Sequence, residues 1–261
     1  MIIEYHRPQT LEEALELLKR KNPPTFPLGG GTVLTQLSDK SFAVVDLQAL
    51  GLDKLRKVGN KLEIGASVTL QLLLESRFIP PALAAALRLE TPLNLRNMGT
   101  AAGTLVTCDG RSPFVTAMLA LDAKLTVDGG PTTEAGLGST VIGLGDFLPL
   151  RPELLRGKLI TKIEIPLNAQ LTFETVARTP ADRPIVCAAL AQWPSRRTRL
   201  ALGGWGKAPI LALDGNEPGG VEAAARNAFA EAADEWASAE YRSEMASVLA
   251  KRCLINLKVE R

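Results

Sequence analysis

Two periods of apolar spacing run along this chain, and the switches between them mark its elements. Thr10-Leu11-Glu12-Glu13 reads as a capping box, and Leu11, Ala14, Leu15 and Leu18 then share one helical face until Pro23-Pro24 stops it. Phe42-Ala43-Val44-Val45-Asp46-Leu47 reads as a buried strand, and Leu62-Glu63-Ile64-Gly65-Ala66 alternates like a second strand. Short helices are expected at 69–76 and, opened by proline, at 81–89. The stretch 91–110 is polar, punctuated by glycine and without period, so it reads as a long functional loop. Ser112-Pro113 then resembles an N-cap and first helical residue, with the helix running to Ala123. Strands are expected at 124–128, closed by Gly129-Gly130, and at 159–165, ended by Pro166.

Beyond about Leu167 the texture changes. Three strand candidates, 171–177, 185–192 and 199–203, precede two alanine-rich helices, 221–236 and 238–254. Strands followed by helices suggest a separate small α+β domain, with the boundary near Pro166.

Composition narrows the function classes. Apolar residues make up 46% of 261, enough for a buried core, and the formal net charge of +2 comes with no basic run. Nucleic acid is therefore not an expected partner. No apolar run approaches the roughly 20 residues of a membrane span, and the N-terminal residues lack a signal-peptide layout, so the expected location is cytoplasmic. Cys108, Cys187 and Cys253 form no CxxC pair and propose neither a zinc site nor an iron–sulfur cluster. Cys108 reads as a small buried filler or as a redox group. His6 is the single histidine, so any triad-type chemistry would have to use it.

The candidate chemistry lies in two glycine-bearing segments. Pro27-Leu28-Gly29-Gly30-Gly31-Thr32 bares a stretch of backbone that can adopt positive φ and touch a pyrophosphate through its N–H groups; it can equally be a tight turn. About seventy residues on, Arg96-Asn97-Met98-Gly99-Thr100-Ala101-Ala102-Gly103-Thr104-Leu105 again combines small residues with hydroxyls. The two segments either face each other across a diphosphate, both offering N–H donors, or are unrelated turns. Trp193, Trp205 and Trp236 read as packing residues or stacking platforms, and Arg178, Asp182 and Arg183 as a loop ion-pair group or as neighbours of a ligand edge.

In this order the pieces resemble the FAD-binding medium subunit of the molybdenum hydroxylases, the group of aerobic carbon monoxide dehydrogenase and xanthine dehydrogenase. The family's Ala-Gly-Gly-Thr-type loop matches Gly29-Gly30-Gly31-Thr32, and its Arg-Asn-x-x-Thr-Ile-Gly-Gly-Asn-Leu loop matches residues 96–105. Met118-Leu119-Ala120-Leu121-Asp122-Ala123, Ile160-Thr161-Lys162-Ile163-Glu164-Ile165-Pro166, Arg178 to Asp182, Leu200-Ala201-Leu202-Gly203-Gly204 and the ending from Ala237 to Cys253 continue the likeness over nearly the whole chain.

The resemblance implies an α+β, two-subdomain FAD-binding fold at 1–166 (subdomains about 1–55 and 56–166), followed by a small C-terminal α+β domain at 167–261. It places the pyrophosphate contacts on Leu28, Gly29, Gly30, Gly31 and Thr32 and on Thr100, Ala101, Ala102, Gly103 and Thr104. Val33, Asp109 and Ile160 complete the candidate cofactor set. No catalytic acid or base and no metal ligand is nominated, because the redox chemistry belongs to FAD. Implied partners are a molybdopterin-binding large subunit and a [2Fe–2S] small subunit, with electrons leaving to NAD or a quinone-type acceptor. Val33, Ala102, Thr104, Pro113 and Glu174 depart from the family pattern and motivate the other reading, a flavin-free scaffold or interaction module.

Overall fold

A computed structural model describes residues 1–34, 40–133, 136–216 and 218–259. Among these residues, twelve strands form three sheets. The first holds β1 (Ile2–His6), β2 (Thr25–Leu28) and β3 (Phe42–Asp46) in the parallel order β1-β3-β2. Central β3 is buried throughout, as its apolar Phe42–Val45 requires, with the buried Asp46 accepting the Tyr5 hydroxyl, and α1 (Leu11–Leu18) covers the sheet. The capping box forms as the sequence indicates: Thr10 Oγ1 accepts the Glu13 N–H at 3.3 Å, and Glu13 reaches back to the Gln9 N–H.

The second sheet joins β4 (Leu55–Val58), β5 (Lys61–Gly65), β6 (Lys124–Thr133), β7 (Gly136–Gly143) and β8 (Leu159–Pro166) in the order β4-β5-β8-β6-β7. Its core also takes in α2 (Leu70–Leu74) and α3 (Pro81–Glu90). The expected long loop at 91–110 is instead largely helical, as α4 (Leu93–Met98) and α5 (Ala101–Thr107). Each helix is too short to display a period, so its start signals, Pro92 and the Thr100 cap, are the legible trace. Next come α6 (Pro113–Ala120), buried on all sides, then α7 (Leu144–Phe147) and α8 (Arg151–Leu154).

The third sheet, β12-β11-β10-β9, is antiparallel and built from β9 (Gln170–Val176), β10 (Val186–Gln192), β11 (Thr198–Gly203) and β12 (Ile210–Gly215). Alternation along β10 sends Val186, Ala188 and Leu190 into the core shared with α9 (Val221–Ala228) and α10 (Ala239–Val259). Ala189 and Ala191 join the core of the second sheet and α6, so that core continues past Pro166. The expected helix at 221–236 ends at Ala228. The fully buried Arg242 captures the carbonyls of Ala232 and Ala237, and the Asp234 carboxylate accepts the N–H groups of Trp236 and Ala237. Those bonds displace the helical ones over the following turn.

Candidate functional site

The two glycine-bearing segments come together and touch. A Cβ on Gly30 would stand 1.7 Å from the Met98 carbonyl oxygen, and one on Gly29 would stand 2.9 Å from Thr100 Oγ1. Packing of the first segment on the turn between α4 and α5 therefore already demands glycine here. Gly31 adds a φ of +69°, in the left-handed region.

The backbone N–H groups differ between the two segments. Among the described residues, the N–H groups of Gly29, Gly30, Thr32 and Val33 reach no acceptor. In the second segment Ala101 donates to the Val68 carbonyl at 2.8 Å and Ala102 to that of Ala66 at 3.3 Å. Gly103 donates to Thr100 Oγ1 at 3.1 Å, and Thr104 to the Thr100 carbonyl at 2.9 Å. Thr100 has the extended backbone of an N-cap, so the segment closes on itself as a helix start rather than opening toward a ligand.

A cleft of about 1210 Å³ opens beside this contact. Gly29, Gly30, Gly31, Thr32, Val33, Thr100, Ala102, Gly103, Thr104 and Ile160 all line it. Leu28, Ala101 and Asp109 are not part of its wall. Asp109 instead forms a two-pronged pair with Arg183, at 2.6 and 2.8 Å. Arg178 pairs with Asp182 at 3.4 Å, so this group holds a loop together. Trp193 packs on the second-sheet core, and Trp205 packs on the third-sheet core while donating to the Ala233 carbonyl. Trp236 lies against the guanidinium groups of both Arg111 and Arg178, each 4.5 Å from its ring centre. Glu174 bonds Asn256 away from the cleft. His6 joins Glu4 and Arg20.

The charge of the wall was not legible in the sequence. Among the described residues, six cations line the cleft, Lys19, Arg20, Lys21, Arg151, Arg156 and Lys158, and no carboxylate does. Arg20 is committed to Glu4 at 2.7 Å and Lys19 to Glu16 at 2.6 Å. Arg151 closes the end of α5, donating to the carbonyls of Val106 at 3.2 Å and Cys108 at 2.9 Å. Lys21, Arg156 and Lys158 make no ion pair among the described residues. Cys108 also lines the cleft, with Sγ 2.9 Å from the Arg151 guanidinium. Burial outweighs that neighbour and pushes the thiol up to about 11, so it is neutral near pH 7. Pro113 opens α6, where the buried Glu90 accepts the Ser112 hydroxyl at 2.8 Å and the Phe114 N–H at 2.9 Å. Desolvation raises the Glu90 carboxyl above its ordinary value despite those bonds.

The volume exceeds the range of roughly 300–1,000 Å³ usual for small-molecule sites, and unpartnered N–H donors with unpaired cations suit a ligand that is long and anionic. A dinucleotide such as FAD fits this donor set and this space. Residues 1–168 match the family described as "FAD binding domain in molybdopterin dehydrogenase". The chain is 30% identical over 256 residues to the Escherichia coli K12 protein YgfM, covering 95% of this chain and 94% of that one. It is 26% identical over 287 residues to the carbon monoxide dehydrogenase medium chain of Afipia carboxidovorans, covering 98% and 96%. Reconstituted CO dehydrogenase from Oligotropha carboxidovorans contains a chain that superposes with a TM-score of 0.80 at 25% identity, covering 99% of this chain and 98% of that one. The chain belongs to the family of FAD-binding subunits of the molybdopterin dehydrogenases and is an FAD-dependent oxidoreductase subunit. No described helix is long and apolar enough to cross a membrane.

Proposed function

We propose that this chain holds FAD in the cleft between its first two sheets and passes electrons from the iron–sulfur clusters of a small subunit to NAD or a quinone-type acceptor. Substrate oxidation would occur on a molybdopterin-binding large subunit. The flavin unit is residues 1–166, a division supported by the family match ending at residue 168. Residues 167–261 form the C-terminal α+β unit.

One observation carries the reading: among the described residues, the cleft joins unpartnered N–H groups at Gly29 and Gly30 to a wall with six cations and no carboxylate. In this reading the first glycine segment donates to the diphosphate, while Thr100, Ala102, Gly103 and Thr104 shape the opposite wall, the N–H groups of the last three being already bonded within the protein. Ile160, buried in β8, supplies apolar surface. When bound, FAD supplies two-electron and one-electron chemistry; the protein supplies position and field. The neutral Cys108 thiol at the wall adds no charge to the site.

Purification and an absorbance spectrum, with and without added FAD, test the proposal. Flavin bands that co-elute with the protein and bleach on chemical reduction are expected. A protein that stays colourless after incubation with FAD refutes it and supports the flavin-free scaffold.

A further inference from the structure

The cations that line the cleft are not spread evenly. Lys19, Arg20 and Lys21 lie between α1 and β2, while Arg156 and Lys158 lie between α8 and β8. These two turns meet: a Cβ on Gly157 would be 3.3 Å from Lys19 Cγ and 3.6 Å from Lys19 Cα. Gly157 takes a φ of +66°, so glycine is needed to make the turn that carries Arg156 and Lys158. Three of the five side chains, Lys21, Arg156 and Lys158, remain without a carboxylate among the described residues.

The same wall joins them to the glycine segment. Lys158 lies two residues before Ile160, at the entry to β8, and both line the cleft. β8 is bonded to Ala66 through the Thr161 carbonyl at 3.1 Å, and the Ala66 carbonyl accepts the Ala102 N–H at 3.3 Å. The cationic turns and Gly29 and Gly30 thus line the same cleft, along a concave wall where field is focused.

We propose that Lys21, Arg156 and Lys158 form a basic clamp that recognises the ADP half of the dinucleotide, supplying the charge complement that the closed second segment does not. The inference rests on the reading of the cleft as the FAD site. It makes affinity depend on the phosphates and on ionic strength, and leaves the flavin ring outside the clamp's reach. Lys21 and Arg156 are exposed and Lys158 is half-buried, so their removal spares the core.

The test compares the full chain with its K21Q/R156Q/K158Q variant, titrating FAD, ADP and riboflavin at 50 and 300 mM salt by fluorescence or calorimetry. In the variant, FAD and ADP affinity should fall about tenfold at low salt, the size expected of three partly screened charge contacts. Its salt dependence should shrink, with riboflavin binding and the unfolding midpoint of the ligand-free protein unchanged. Variant and parent binding FAD and ADP equally well, with equal salt dependence, overturns the clamp and leaves the FAD site standing. A parent chain that binds no FAD overturns both.

Discussion

Replacing Gly30 by alanine tests the contact on which the site is built. Gly30 carries no left-handed φ, so alanine is allowed by its backbone and restricts the unfolded chain, a gain of about 0.4–1 kcal/mol. Against this, the new methyl would stand 1.7 Å from the Met98 carbonyl oxygen and 3.0 Å from the Gly99 nitrogen. Both are backbone atoms, so no rotamer change relieves the overlap, and the two segments must part by more than about 1 Å to restore van der Waals distance. Overpacking of this kind costs about 1–3 kcal/mol, leaving a net loss of about 1–2 kcal/mol. The displacement also moves the Gly29 and Gly30 N–H groups; loss of one charge-assisted bond lowers FAD affinity about tenfold. Gly219→Ala is the control, with no atom within 4 Å of its added methyl and no left-handed φ. Urea unfolding and FAD titration of the three proteins provide the assay. If Gly30→Ala matches Gly219→Ala in stability and the parent in FAD affinity, the backbone contact between the segments is wrong.

Three further outcomes follow from the same structure. The raised carboxyl of Glu90 favours the folded state below its unfolded value of 4.5 and loses that advantage as pH rises through its folded value. Glu90→Gln, which keeps an acceptor for Ser112 and Phe114, should therefore gain stability relative to the parent as pH goes from 4 to 8; parallel urea curves across that range would refute the assignment. Arg242→Met should cost about 3–5 kcal/mol, because it strands Asp234 and the carbonyls of Ile185, Ala232 and Ala237, and amide exchange should quicken around 229–241. A loss below about 1 kcal/mol would show that the turn is held otherwise. With Cys108 raised to about 11 and the buried Cys187 and Cys253 to about 12, all three thiols should resist a thiol reagent at pH 7.5 and react in urea. Rapid labelling of Cys108 in the native chain would contradict its raised thiol.

Some of this was legible in residue order alone. The capping box at Thr10, the buried strand at Phe42–Asp46 and the Ser112-Pro113 helix start are local signals, and each forms as its residues indicate. Edge strands were harder to see. β12 is half exposed, β2 contains Pro27, and β7 is glycine-rich, so propensity and alternation are weak in all three. The missed helices α4 and α5 span six and seven residues, too few for a period to show.

Read alone, the sequence carried the resemblance to the family, the central strands and longer helices, and the two glycine-bearing segments, because these depend on residues near one another in the chain. Tertiary structure decided what the segments do. Gly29 and Gly30 keep unpartnered N–H groups, whereas those of residues 101–104 are taken by Ala66, Val68 and the Thr100 cap. It also assembled Lys21, Arg156 and Lys158, more than 130 residues apart in part, along one cleft. Hydrogen-bond satisfaction and charge focusing are properties of atoms in space, and a linear order of residues carries neither.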